Sequence, residues 1–84
     1  MNSQIAERLR KLESSLVRLS STEGEVIIAR LLSVSEEHQD IVVDIISTSQ
    51  PERYDRLGRK YNDGAWAIPF EYIRDVQPEG NAED

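Results

Sequence analysis

Gly64 to Val76, GAWAIPFEYIRDV, gathers the only Trp, the only Phe and one of the three Tyr residues of the chain around a proline at position 69. Alternation decides what this stretch is. Successive side chains of a strand point to opposite faces, so Trp66, Ile68 and Phe70 share one side, and Ile73 and Val76 reach the same core after a tight turn. Pro69 has no N–H to give to a ladder and belongs at a strand end, an edge or a bulge. The stretch reads as two brief strands, AWAIPF (65–70) and YIRDV (72–76), filling a barrel, rather than as an aromatic ligand site.

Upstream the same logic yields three more strands. SLVRLSS (15–21) is a short strand, TEGE (22–25) a Gly-centred turn, VIIARLLSV (26–34) a longer β-branched run, SEEHQD (35–40) a polar turn and IVVDIISTS (41–49) a third strand. In that third strand Ile41, Val43 and Ile45 lie on one face and Val42, Asp44 and Ile46 on the other, so both faces are expected to be at least partly covered. Ahead of the strands, Ile5, Leu9, Leu12 and Leu16 recur at helical spacing, which predicts a helix over residues 3–14 with Ser3 as its N-cap. So short a helix is unstable alone and must dock its apolar stripe on the sheet. Residues 50–64, QPERYDRLGRKYNDG, form either a long irregular loop or an extended hairpin. Residues 1–78 read as a single domain, and 79–84 as a disordered acidic tail.

With 84 residues and no cysteine, there is room for one modest core and no disulfide scaffold or thiol nucleophile. No run approaches the roughly 20 apolar residues of a membrane span, so a cytoplasmic setting is expected. The net charge of −6 opposes non-specific attraction to nucleic acid. It is unevenly spread: residues 1–18 carry +2, 19–49 carry −5, 50–66 carry +1 and 67–84 carry −4.

ARLLSVSEEHQDIVVDI (29–45) and AIPFEYIRDV (67–76), in this order of helix and strands, resemble the two motifs of the Sm-like family of Sm, LSm and Hfq-type proteins, over roughly residues 3–78. Other small SH3-like barrels share the final strand-turn-strand pattern. The resemblance implies a mainly β fold: an N-terminal α-helix followed by a five-stranded, strongly bent SH3-like or Sm-like barrel. It also implies a homo-oligomeric ring built by pairing the fourth strand of one subunit with the fifth of the next, with Trp66, Ile68, Phe70, Tyr72 and Arg74 on the inter-subunit edges. The RNA-binding residues of the family do not carry over. Ala29, Ser35 and Asp40 stand where its strand Gly, turn Asp and turn Asn are expected, and Pro69 and Phe70 where many members have Arg-Gly. A carboxylate at 40 only accepts hydrogen bonds and repels phosphate.

The cluster Arg53, Tyr54, Arg56, Arg59, Lys60 and Tyr61 interleaves guanidinium and aromatic groups as single-strand nucleic-acid sites do. Glu52, Asp55 and Asp63 nevertheless bring its segment down to +1, so a salt-bridged loop and a contact for a protein partner compete with that reading. His38, among Glu36, Glu37 and Asp40, lacks the further ligands of a metal site and the oriented nucleophile of a catalytic one. No catalytic residue, metal site or cofactor is expected. The expected function is a non-enzymatic homo-oligomeric scaffold or protein-interaction module. The alternatives are an RNA-binding regulator using 53–61, and an accessory barrel in a heteromeric complex.

Overall fold

The computed structural model of the chain describes residues 3–79. The capping role expected of the Ser3 side chain and the tail from residue 80 onward fall outside what it describes. Its elements are α1 (Ser3–Lys11), β1 (Leu16–Ser21), β2 (Val26–Ser35), β3 (Asp40–Thr48), a short α2 (Glu52–Asp55), β4 (Trp66–Pro69), a 3-10 turn (Phe70–Tyr72) and β5 (Ile73–Pro78). The fold is mainly β. Five antiparallel strands form one sheet in the order β4-β3-β2-β1-β5.

The sheet curls on itself. Leu19 of β1 and Ile68 of β4 line the same small crevice although β2 and β3 lie between their strands. Three register shifts supply the bend. One falls between Ser20 and Ser21 where β1 meets β5, and two fall along the β2–β3 ladder, where Ile46 and Leu32 are each an extra residue. The concave face carries Val17, Leu19, Ile27, Ala29, Leu31, Ile41, Val43, Ile45, Ile68, Phe70, Ile73 and Val76, all buried in one cluster. The alternation expected for 66–76 holds: Ile68, Phe70, Ile73 and Val76 are inside, and Trp66 packs half-buried at the rim.

The outer face meets expectation in part. The partial coverage expected on the outer side of β2 and β3 holds at Ile28 and Val42, which are half-buried, but not at Leu32 and Ile46, which are 43% and 51% exposed. Both are bulge residues, which the extra count pushes outward. The helix does not cover that face; α1 packs against β2 and β5, placing Ile5, Ala6 and Leu9 in the core. It stops at Lys11 rather than at residue 14. Ser14 takes φ 73° and its N–H already donates to Leu31 O at 2.7 Å, so strand pairing begins where the helical stripe would have run on. Of the two forms expected for residues 50–64 the extended hairpin is not found: β3 ends at Thr48, the one-turn α2 follows, and the segment is otherwise irregular until β4 starts at Trp66.

Candidate functional site

Glu25 ends the turn from β1 to β2 with its side chain fully buried. Its place follows from parity: Glu25, Ile27, Ala29 and Leu31 share the inward face. The turn is built around Ser21, whose Oγ accepts from the N–H groups of Glu23 at 3.1 Å and Glu25 at 2.9 Å, with Gly24 at φ 88°. A buried carboxylate needs partners on both oxygens. Tyr54 OH donates to Oε2 at 2.7 Å, Tyr72 OH donates to Oε1 at 2.7 Å, Thr48 Oγ1 donates to Oε2, and Arg53 Nε lies 3.5 Å from Oε1. Arg53 also bonds Glu23 at 3.2 Å, and its guanidinium sits 4.8 Å from the centre of the Tyr72 ring. Burial first, and then the bond to the Glu25 carboxylate, push the Tyr54 phenol well above its ordinary range. The Tyr72 phenol is also raised, mainly by burial, against a lowering contribution from Ser21.

The rest of the 50–64 segment folds against this anchor. Tyr54 meets Trp66 edge-on at 4.9 Å and Tyr61 at 6.4 Å between ring centres. Trp66 Nε1 donates to Tyr61 O at 2.8 Å. Arg59 lies over the Trp66 ring, 4.0 Å from its centre, and its Nη2 donates to Asp63 O at 2.6 Å and to Ala65 O at 3.1 Å. Of the interleaved cluster, then, Arg53, Tyr54, Arg59 and Tyr61 are engaged in contacts within the chain, whereas Arg56 and Lys60 face solvent. Glu25 and Thr48, which organise the segment, are absent from the set picked out by sequence; the parity of Glu25 with Ile27 was the available signal.

The two ends of the sheet form the second feature. Phe70 N–H donates to Gln39 O at 2.8 Å. Antiparallel ladders alternate, so Ile68 and Trp66 bond to β3, and Ala67 and Pro69 turn their backbone groups to the free edge of β4. Pro69 therefore costs the β3–β4 ladder nothing. On β5, Glu79 N–H donates to Leu16 O at 3.0 Å, which by the same alternation makes Val76 and Pro78 the outward residues. Both edges carry a proline at an outward position, a common way of blunting an edge strand. The Val76 carbonyl is occupied: Arg8 Nη2 of α1 donates to it, while Arg8 Nη1 holds Asp75 Oδ1 at 2.9 Å. Of the expected edge residues, Arg74 is exposed, Trp66 and Tyr72 are half-buried, and Ile68 and Phe70 point their side chains into the core.

Ser35, Asp40 and Pro69, which align with the family's RNA-contacting positions, come together: Ser35 faces Asp40 across the β2–β3 ladder and Asp40 faces Pro69 across β3–β4. Beside them opens a cleft of about 580 Å³ lined by Ile5, His38, Gln39, Pro69, Phe70 and Glu71. His38 Nδ1 pairs with Ser35 Oγ at 3.1 Å in the exposed turn. Ala29 is in the core. Among the described residues there is no group of three or more His, Cys, Asp or Glu side chains placed to hold a metal, and no helix is long and apolar enough to cross a membrane.

No family model matches the sequence, and no curated relative does. Among solved structures, the chain is similar to a novel Sm-like archaeal protein from Pyrobaculum aerophilum, with a TM-score of 0.61 and 22% identity. The similarity covers 94% of this chain and 54% of that one, so the chain spans about half the length of that protein. At this identity the likeness establishes the fold, which is Sm-like.

Proposed function

We propose that the chain is a non-enzymatic Sm-like scaffold that works by assembling with further copies of itself through the free edges of β4 and β5. The observation that carries this reading is that the five-stranded sheet ends in two strands hydrogen-bonded on one side only, β4 and β5. An unpaired edge is a template for another strand, and two edges on one subunit permit a closed ring. The chemistry inside the chain points away from catalysis: its fully buried carboxylate, Glu25, is consumed by two phenols, a hydroxyl and a guanidinium.

Light scattering behind a sizing column, over a range of concentrations, tests the assembly. A mass several times the 9.6 kDa of the chain supports it, and a clean monomer at every concentration removes it. In the RNA reading, Arg56 and Lys60 are the solvent-facing cations of the segment. Binding of U-rich or A-rich oligomers that falls steeply with salt and with Arg56→Glu would favour that reading over the scaffold.

A further inference from the structure

We propose that Arg8 is a latch on the β5 edge, which must release the Val76 carbonyl before a second copy of the chain can pair its β4 there with Ala67 opposite Val76. The inference rests on the edge-pairing reading above and adds its register and its control.

The register follows from which backbone groups face outward. On β4 these are the N–H and C=O of Ala67 and the C=O of Pro69; on β5 they are the N–H and C=O of Val76 and the C=O of Pro78. Neither proline has an N–H. Among these four residues, therefore, an antiparallel partner can exchange two bonds at one position only when Ala67 stands opposite Val76. Sliding by two residues one way puts a proline opposite each of them and leaves single bonds; sliding the other way sets Ala67 against Arg74, the extra residue of β5, where the ladder is irregular. In the favoured register the prolines fall toward the two ends of the pairing, Pro69 opposite Arg74 and Pro78 opposite Ala65.

That register needs the carbonyl Arg8 already holds. The obstacle is spatial as well as chemical. A paired strand runs about 4.8 Å from its neighbour, and the Arg8 guanidinium, tied to the outward Val76 O and to Asp75 Oδ1, stands against the edge it would occupy. The latch is weak enough to open, because the Arg8 and Asp75 side chains are 48% and 39% exposed and their attraction is screened by salt. It opens without unfolding α1, whose hold on the barrel is the burial of Ile5, Ala6 and Leu9.

The test compares assembly by sedimentation velocity for wild type, Arg8→Met, Asp75→Asn and Ala67→Pro, with thermal melts to confirm folding. Arg8→Met is expected to lower the half-assembly concentration about tenfold, the scale of one charge-assisted hydrogen bond. Asp75→Asn lowers it less, and serves if Arg8→Met fails to fold. Wild-type assembly strengthens as salt rises. Ala67→Pro deletes an outward N–H without touching the β3–β4 bonds and abolishes assembly, alone and combined with Arg8→Met. If Ala67→Pro abolishes assembly but Arg8→Met and Asp75→Asn leave it unchanged or weaker, the latch is overturned and edge pairing stands. If Ala67→Pro has no effect, or no variant assembles, edge pairing fails and the latch with it.

Discussion

Tyr54 and Tyr72 donate to opposite oxygens of one buried carboxylate, Tyr54 to Oε2 and Tyr72 to Oε1 of Glu25, each at 2.7 Å. The first comes from α2 and the second from the turn before β5, so one charge ties the 50–64 segment and the β4–β5 turn to the start of β2.

Removing the carboxylate leaves these hydroxyls and Thr48 without an acceptor, so Glu25→Ala should cost about 3–5 kcal/mol. Tyr54→Phe removes one bond to a charged group and should cost about 2 kcal/mol, and Tyr72→Phe, at a half-exposed position, about 1 kcal/mol. The double Phe variant should lose more than the sum, because Glu25 then keeps only Thr48 and Arg53. Urea midpoints for the four variants check the ranking, and strict additivity of the Phe pair would show that the two phenols do not share the charge.

Both phenols are raised above the usual tyrosine value, Tyr54 by burial and then by Glu25, Tyr72 chiefly by burial. A raised value means that the neutral form is favoured in the folded chain. Their contribution is thus fully present below about pH 10, where tyrosines in the unfolded chain ionise, and is lost as pH climbs beyond it. Wild type should lose stability above about pH 10, and Tyr54→Phe should lose it less steeply. Parallel slopes in urea titrations taken from neutral to strongly alkaline pH would refute the assignment.

The Arg59–Trp66 contact predicts a spectroscopic change. Arg59 covers the indole and bridges two carbonyls, so Arg59→Ala should shift Trp emission to the red and cost about 1–2 kcal/mol. Arg59→Lys should restore little, since an ammonium lacks the planar fork that lies over the ring while reaching Asp63 O and Ala65 O. An unchanged emission maximum in Arg59→Ala would place the indole in some other environment.

The strands were legible because alternation records burial directly: Ile68, Phe70, Ile73 and Val76 are inside as read, although Phe70 and Tyr72 lie in the 3-10 turn rather than in the strands read at 65–70 and 72–76. The bulges at Leu32 and Ile46 were not, since a run with apolar residues on both faces, such as Val26–Leu32, has no local mark of an inserted residue. The form of the 50–64 segment stayed open between loop and hairpin for a similar reason. Its helix lasts one turn and is held by Glu25, which lies 29 residues before Tyr54. The Arg8–Val76 contact is longer still in sequence separation and leaves no periodic trace. Composition could report which side chains were basic or aromatic; it could not report which were already engaged.

Backbone conformation supplies the last prediction, through two positions of opposite sign. Ser14 occupies φ 73°, where a Cβ is crowded against the following carbonyl, and it is exposed. Ser14→Gly removes that strain but adds freedom to the unfolded chain, for a net gain of about 0.5 kcal/mol. Gly64 lies at φ 99°, and a Cβ there would stand 3.3 Å from Arg59 Nη2. Gly64→Ala therefore combines backbone strain with displacement of the guanidinium from Trp66, and should cost about 1–2 kcal/mol together with a red-shifted emission. Thermal melts read beside fluorescence separate the two effects: Ser14→Gly should raise the midpoint with the Trp spectrum unchanged, and Gly64→Ala should lower the one and shift the other. A Gly64→Ala variant that melts earlier with an unshifted spectrum would mean that Arg59 stays on the indole and that the strain is confined to the backbone.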